Sequence, residues 1–551
     1  MVSLSIMALL YSFTVALFLT TALIPLCIRM APRLGLIDIP DPRKVHIRAI
    51  PRCGGLGMAI GVAIPLLWFL PNTSLFYHLA AACLVIVIFG LLDDRNDLHY
   101  RWKFLGQILA VLIVMHGGLT MQRLPLFGLE NAPLWLTYPI TFFFLLGVTN
   151  AVNLTDGLDG LAAGTTLLAL AVMFILAQQS GDGQTGFIAL TVTGGILAFL
   201  RYNTFPAQVF MGDTGSQFLG FIAACLSILT TQSGTSAVSA TLPLLILGLP
   251  VLDTFMVMSI RLAQGRSPFS PDRNHLHHQI MALGFRHNEA VAIIYLLQIA
   301  LLSCAYLLRF AADELLLAVY GGFCLLLLSA LNVARRSGWR FREEHPQQTF
   351  IDRRNIFLRK LDWFYRNSNY IVQTFMAVLL VLPVAYDCDA ALRIYSPVVV
   401  VASVLLASCV LFFRLPAWST RLNVYVAAAL SVYMITANPA LQPLMRLINA
   451  TFIGLVAVLA LAIRMTRREH FRLDTQDLLI LIVIVIVPLL PFDALSTYAI
   501  GEFTLRLAVF MYSCEFIIGK STNKMALLPV NIVGMLSIVL ATALHGNLSF
   551  S

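Results

Sequence analysis

The sequence predicts an all-α, polytopic integral membrane protein, and three observations carry that prediction. Of its 551 residues 59% are hydrophobic and only 11% are charged, with a mean hydropathy of +0.85. Apolar runs of about 20 residues recur along the whole chain, each long enough to cross ~30 Å of hydrocarbon as a helix. The basic residues gather in alternate connections between those runs, as the positive-inside rule demands of a correctly counted set of spans.

In order, spans are expected near residues 4–28, 54–70, 75–92, 104–117, 133–149, 161–178, 186–200, 216–232, 239–260, 289–309 and 313–333. A second series is expected near 371–386, 396–413, 422–437, 447–463, 478–494, 498–518 and 526–545. That is about 18 helices, ten or eleven in a core over 1–333 and about seven in an extension over 371–551. Between them, residues 334–370 form a basic linker carrying Arg335, Arg336, Arg340, Arg342, Arg353, Arg354, Arg359, Lys360 and Arg366. Such a segment suits an anionic lipid surface. The first run is too long for a signal peptide and reads as a span. With the N-terminus outside, the basic connections and every polar motif fall on the cytoplasmic face.

Composition excludes several classes. The nine cysteines are scattered, with no Cys-x-x-Cys pair, so neither a disulfide framework nor a zinc site is expected. The net charge of +9 follows membrane orientation, so no nucleic-acid partner is expected. In the extension, Glu502 and Arg506 lie four apart in one apolar run with Glu515 beyond, a spacing that favours a buried interhelical ion pair over a functional site.

Chemistry concentrates in five stretches. The central one, Asn150 to Leu161, interrupts two apolar runs with Asn150, Asn153, Thr155, Asp156 and Asp159, and with Gly157 and Gly160 between them. Carboxylates at a membrane boundary need a cation or a polar ligand. If helical, the spacing of three would put Asp156 and Asp159 on one face, and the glycines would let a ligand approach the backbone. Asp93, Asp94 and Asp97 close the third span; adjacent carboxylates stay ionised only beside compensating charge. Asn203 and the run Phe210-Met211-Gly212-Asp213-Thr214-Gly215-Ser216 place Asp213 just before a span, suited to Mg²⁺ with phosphate. Arg266, Arg273, His275, His277 and His278 make a dense donor cluster for phosphate oxygens. Lys44, His46 and Arg52, in the first inner loop, are further phosphate-binding candidates. Inner-face carboxylates, glycine turns and basic donors together suggest phosphoryl transfer on a bound metal, with a lipid as one substrate. A transporter is the rival from another class, since intramembrane acids and broken helices are also its signature.

With these motifs in hand, the sequence resembles the polyprenyl-phosphate N-acetylhexosamine-1-phosphate transferase superfamily. The likeness covers about residues 1–333. It rests on Asp93-Asp94 with Asp97, on Asn153-Leu154-Thr155-Asp156-Gly157-Leu158-Asp159-Gly160, on Asn203 with 210–216, and on His275-Leu276-His277-His278. The Ser-Pro-Phe-Ser-Pro-Asp-Arg run at 267–273 is similar to the GlcNAc-1-phosphate branch; the phospho-MurNAc-pentapeptide translocase branch carries three consecutive histidines instead. The resemblance implies attack of a polyprenyl (undecaprenyl) phosphate on the β-phosphorus of a UDP-N-acetylhexosamine, giving polyprenyl-diphospho-sugar and UMP. That would be the first step of a cell-surface glycan such as O-antigen, in the bacterial inner membrane. It implies Mg²⁺, with Mn²⁺ an alternative, held by Asp213 with support from Asp94. Asp93 would deprotonate or orient the lipid phosphate. Asn153, Asp156, Asp159 and Asn203 would help bind nucleotide and metal; Arg273, His275, His277, His278, Lys44, His46 and Arg52 would contact diphosphate or sugar. The choice of UDP-sugar, direct attack against a phospho-aspartyl route, and a homodimer against a monomer stay open.

Overall fold

The computed structural model describes residues 6–39, 49–69, 73–124, 132–232, 238–267, 274–342, 362–381, 432, 435, 439–465, 506, 509, 510, 513, 516 and 517. The chain divides into two compact units, the first built from residues 1–344 and the second from most of residues 345–551.

The first unit is a helical bundle. A chain in hydrocarbon must bond its own backbone, and helices do so within each span. The elements are α1 (Ile6–Leu34), a two-residue antiparallel pair β1 (Ile37–Asp38) and β2 (Ile50–Pro51), α2 (Gly54–Phe69), α3 (Ser74–Asn96), α4 (Tyr100–His116), α5 (Leu134–Thr155), α6 (Leu161–Gln179), α7 (Gly183–Asn203) and α8 (Gly212–Gln232). There follow α9 (Leu242–Ile246), α10 (Gly248–Ala263), α11 (Leu276–Ala282), α12 (His287–Leu307) and α13 (Asp313–Arg336). Eight of the described helices are long and apolar enough to cross a membrane, and α2 is a shorter apolar one.

Two expectations change, and a third is met only as far as the described residues reach. The run at 239–260 is a broken helix, parting into α9 and α10 at Leu247. The break frees carbonyls that hydrocarbon cannot satisfy. Gln298 donates at 2.8 Å to Ile246 O, the last carbonyl of α9, and the Tyr320 hydroxyl adds a bond at 2.9 Å to Gly248 O at the start of α10. Second, α3, α5 and α8 run several residues past the apolar stretches, so Asp93, Asp94, Asn150, Asn153 and Asp213 stand on helix ends rather than in loops. Third, of the seven expected C-terminal spans only those near 371–386 and 447–463 correspond to described helices, α14 (Asp362–Val381) and α15 (Met445–Met465). The other five lie wholly or mainly outside the described residues.

In the second unit α14 and α15 pack together through Val372, Met376, Leu379, Ile448, Phe452 and Leu455. Arg506 is buried, donates to Asn449 Oδ1 at 2.9 Å and lies 5.9 Å from the Phe452 ring. Glu502 and Glu515, its expected companions, are outside the described residues.

Helix α8 is the axis of the first unit: 94% of its most apolar window is buried, against 6% for α13. It packs on α2, α3, α5 and α6. Small residues permit the approach. A Cβ on Gly90 of α3 would stand 2.5 Å from the Thr214 backbone, and Gly55 of α2 meets Gly215 as closely. The buried Gln217 on α8 accepts from Gln107 at 3.1 Å, and Asn150 donates to Gln107 Oε1 at 2.7 Å. Asn150 is thereby a brace between helices.

Gly90→Ala should cost ~1–3 kcal/mol through forced displacement of α8 backbone and lower the thermal midpoint in detergent. Gly147→Ala, where nothing lies within 4 Å, should leave that midpoint unchanged or slightly raised.

Candidate active site

The polar motifs meet at one end of this bundle, and the first turn of α8 organises them. A helix start exposes N–H groups with no partner in the helix. Here they are met by a carboxylate from another helix. Asp94, buried in the last turn of α3, accepts from Asp213 N–H at 2.8 Å on Oδ1, and from Thr214 N–H (3.0 Å) and the Thr214 hydroxyl (2.6 Å) on Oδ2. Gly212 has φ +69°, and a Cβ there would fall 2.5 Å from Asp94 Oδ2. Glycine serves both the left-handed backbone and the close approach. Three donors thus use Asp94, and its carboxylate holds Asp213's helix in place beside the expected metal position.

Asp213 then faces Lys103. The ammonium lies 2.8 Å from Asp213 Oδ2 and 2.5 Å from Asp93 Oδ2, joining α3, α4 and α8. In the sequence Lys103 stands out only as one of the loop bases. The signal available is its place one helical turn before Gln107, a buried residue on the same face of α4.

Asn153, on the last turn of α5, accepts from the Ser216 hydroxyl. Residues 156–160 form a turn, so the helical face expected for Asp156 and Asp159 does not exist. The left-handed Gly160 (φ +79°) ends that turn. Asp159 Oδ2 accepts from Ala207 N–H at 3.0 Å. Asn203 accepts from Gly160 N–H (2.9 Å) and donates to Val209 O (2.9 Å), while the Tyr295 hydroxyl donates to Gly160 O at 2.7 Å. Asp159 and Asn203 therefore stitch the turn to the 204–209 loop, with the Asn203 amide used on both sides by backbone. Asp156 differs: no described residue donates a hydrogen bond to its carboxylate. Burial, and then the negative charges of Asp213, Asp159 and Asp94, push its pKa up to about 8.

Of the histidines, His277 is buried with its ring over Gly157, where a Cβ would come within 2.5 Å of ring atoms. The glycine opens space for this side chain, not only for a ligand. Burial first, then the neighbouring His278, His275 and His287, hold His277 down to about 3. Held neutral near pH 7, it has a hydrogen bond rather than a charge to offer a diphosphate or sugar. His275 stacks parallel to it, with centroids 5.7 Å apart, and is bonded to Asp253 of α10, a buried carboxylate hidden in the sequence inside the expected span 239–260. Arg52 is ion-paired with Asp38 (2.5 Å) and Asp97 (3.3 Å), tying the β1–β2 pair to the end of α3. Lys44, His46 and Arg273 lie outside the described residues.

Among the described residues no group of three or more His, Cys, Asp or Glu side chains is arranged to hold a metal ion. Asp213 and Asp156 offer oxygen only, and among the described residues none pairs with the Asp156 charge. That donor set fits Mg²⁺ or Mn²⁺ bound through one or two carboxylates plus the phosphates of a substrate. It does not fit a complete protein cage.

Raising Asp156 above its ordinary value means that folding favours its protonated form. This stability is present below the usual carboxylate range and is lost as pH rises through about 8. The thermal midpoint of the ligand-free protein should therefore fall from pH 4 to pH 8, and Asp156→Asn should flatten that decline.

Comparison with known proteins identifies the family. The family model described as glycosyl transferase family 4 matches residues 76–231, from α3 through α8. A Bacillus subtilis protein named as a probable undecaprenyl-phosphate N-acetylglucosaminyl 1-phosphate transferase is 36% identical over 289 residues, covering 52% of this chain and 81% of that protein. The decaprenyl-phosphate N-acetylglucosaminephosphotransferase of Mycolicibacterium smegmatis is 34% identical, over 48% of this chain and 74% of its own length. The undecaprenyl-phosphate α-N-acetylglucosaminyl 1-phosphate transferase of Escherichia coli K12 is 31% identical, over 54% and 83%. Identity sustained over most of each relative means that this chain belongs to the polyprenyl-phosphate N-acetylhexosamine-1-phosphate transferase superfamily and is a transferase of the membrane.

Proposed function

We propose that the chain transfers GlcNAc-1-phosphate from UDP-GlcNAc to a polyprenyl phosphate, undecaprenyl phosphate in a bacterial inner membrane, releasing UMP on the cytoplasmic side. The observation that carries the reading is the Asp93–Lys103–Asp213 bridge at the ends of α3 and α8. It sets two carboxylates and one ammonium at a lipid boundary, where a phosphate headgroup can meet a soluble diphosphate. The relatives named for this reaction on undecaprenyl or decaprenyl phosphate support it. They also set aside the transporter alternative, as does the gathering of charged groups at helix ends.

In this reading an oxygen of the lipid phosphate attacks the β-phosphorus of the nucleotide sugar. The new P–O bond forms as the bond from the β-phosphorus to the bridging oxygen breaks, and UMP leaves with that oxygen. Asp93 orients the lipid phosphate and accepts a proton if it arrives protonated. Lys103, freed from the carboxylates as phosphate enters, offsets charge on the transferred phosphoryl oxygens. Asp213 and Asp156 would hold Mg²⁺, which would supply charge neutralisation for the diphosphate. Asp94 keeps Asp213 in place throughout. The cell-surface glycan begun by this step and the preference for GlcNAc over a 6-deoxy or GalNAc-type sugar rest on the 267–278 motif, part of which lies outside the described residues.

Purified protein should exchange labelled UMP into UDP-GlcNAc when undecaprenyl phosphate and Mg²⁺ are present. Asp213→Ala or Asp93→Asn should reduce exchange by ~100-fold or more, and chelation followed by Mg²⁺ should abolish and restore it. No exchange with any UDP-N-acetyl sugar would sink the proposal.

A further inference from the structure

Asp253 has no part in the transfer chemistry, yet it is a buried carboxylate on a helix read as membrane-embedded. A charge there is costly unless it is compensated. Its two oxygens are used differently. Oδ1 accepts the Leu276 N–H at 2.6 Å, which satisfies the first turn of α11. Oδ2 lies 2.9 Å from His275 Nδ1. The first contact is an ordinary cap and needs no imidazole. The second selects a state of the ring, because an ionised carboxylate only accepts. Nδ1 must therefore carry a proton, and Nε2 is the nitrogen left to face a ligand. No described residue bonds Nε2.

The geometry extends this control toward the reacting end. His275 lies parallel to His277, with 11° between the ring planes. His277 covers Gly157, next to the unpartnered Asp156 carboxylate. Turning His275 would disturb that stack and the 156–160 turn beneath it. We propose that Asp253 is a positioning residue, which fixes the tautomer and aim of His275 so that Nε2, left without a proton, accepts a hydrogen bond from a hydroxyl or amide N–H of the nucleotide sugar. This rests on the proposed transfer reaction, and it assigns the carboxylate–imidazole pair of α10 and α11 to substrate orientation rather than to helix packing alone.

Asp253→Asn separates the two uses. The amide oxygen still accepts from Leu276 N–H, while the amide NH₂ turned toward Nδ1 makes that nitrogen an acceptor and moves the ring proton to Nε2. Full-length protein labelled with ¹⁵N-histidine, with the His275 signal assigned by its loss in His275→Gln, reads the tautomer without turnover. The expected result is Nδ1–H in the parent and Nε2–H in Asp253→Asn. With the thermal midpoint preserved, kcat should fall by ~10- to 1,000-fold, less than the ~10,000-fold lost when the carboxylate orienting a general-base histidine is neutralised. KM for UDP-GlcNAc should move by only about threefold, and Asp253→Glu should recover part of the loss. In a His275→Gln background, Asp253→Asn should cost nothing further. An unchanged tautomer, kcat within about twofold of the parent, or a full additional loss in the His275→Gln background overturns the proposal. If Asp253→Asn does not fold, Asp253→Glu against His275→Gln gives the same double-mutant comparison. A parent protein without transferase activity would count against the reaction instead, and the tautomer measurement would still decide the pairing.

Discussion

The contact on which the rest depends is the Asp94 carboxylate bound to the first turn of α8. A helix that begins inside a bundle brings N–H groups to a place with little water, and leaving them unmade costs more than most side-chain contacts contribute. Asp94 meets two of them and the Thr214 hydroxyl at once. A negative charge at that end is also favoured by the helix dipole. The clamp requires close approach, which Gly90 and Gly212 permit by having no Cβ. Asp213 is presented on a start that cannot drift, and Lys103 finds it within 2.8 Å.

Around that clamp the charges are unevenly matched. Lys103 serves Asp93 and Asp213, and Arg52 serves Asp38 and Asp97. Asp159 is satisfied in part by backbone. Asp156 alone among these carboxylates keeps no hydrogen bond from a described residue, and its neighbours are acids. A site left with such an excess favours an incoming cation, or a cation carried by a phosphate, over a neutral ligand. His277 does not supply that cation, since burial keeps it neutral. Its contribution is shape and hydrogen bonding.

The broken α9–α10 helix follows the same logic. Parting a helix in hydrocarbon is tolerated where other side chains take up the freed carbonyls, and Gln298 does so at Ile246. The break lets α10 leave on a new course carrying Asp253, which in turn starts α11 and holds His275. Two carboxylates, Asp94 and Asp253, therefore each begin a helix from a distance, and each sets the position of a candidate functional side chain.

Unaided, the residue order settles the solvent of the chain and the stations of its chemistry. Apolar runs of membrane length dictate the all-α class. The placement of Asp93, Asp94, Asp156, Asp159, Asp213 and the histidines marks where polar groups gather, because charge near hydrocarbon is retained only for a reason. What each of them does is decided in three dimensions. Asp94 and Asn203 read as ligands in sequence, and their bracing contacts show only in space, since a hydrogen-bond partner far along the chain leaves no local pattern. Lys103 looks like one more inner-loop base, and Asp253 vanishes inside an apolar run, because periodicity records which face a residue takes and not which distant atom waits there. Contacts between remote helix ends exist only once the bundle closes, and at this site they separate a carboxylate that grips a neighbouring helix from one left to grip a ligand.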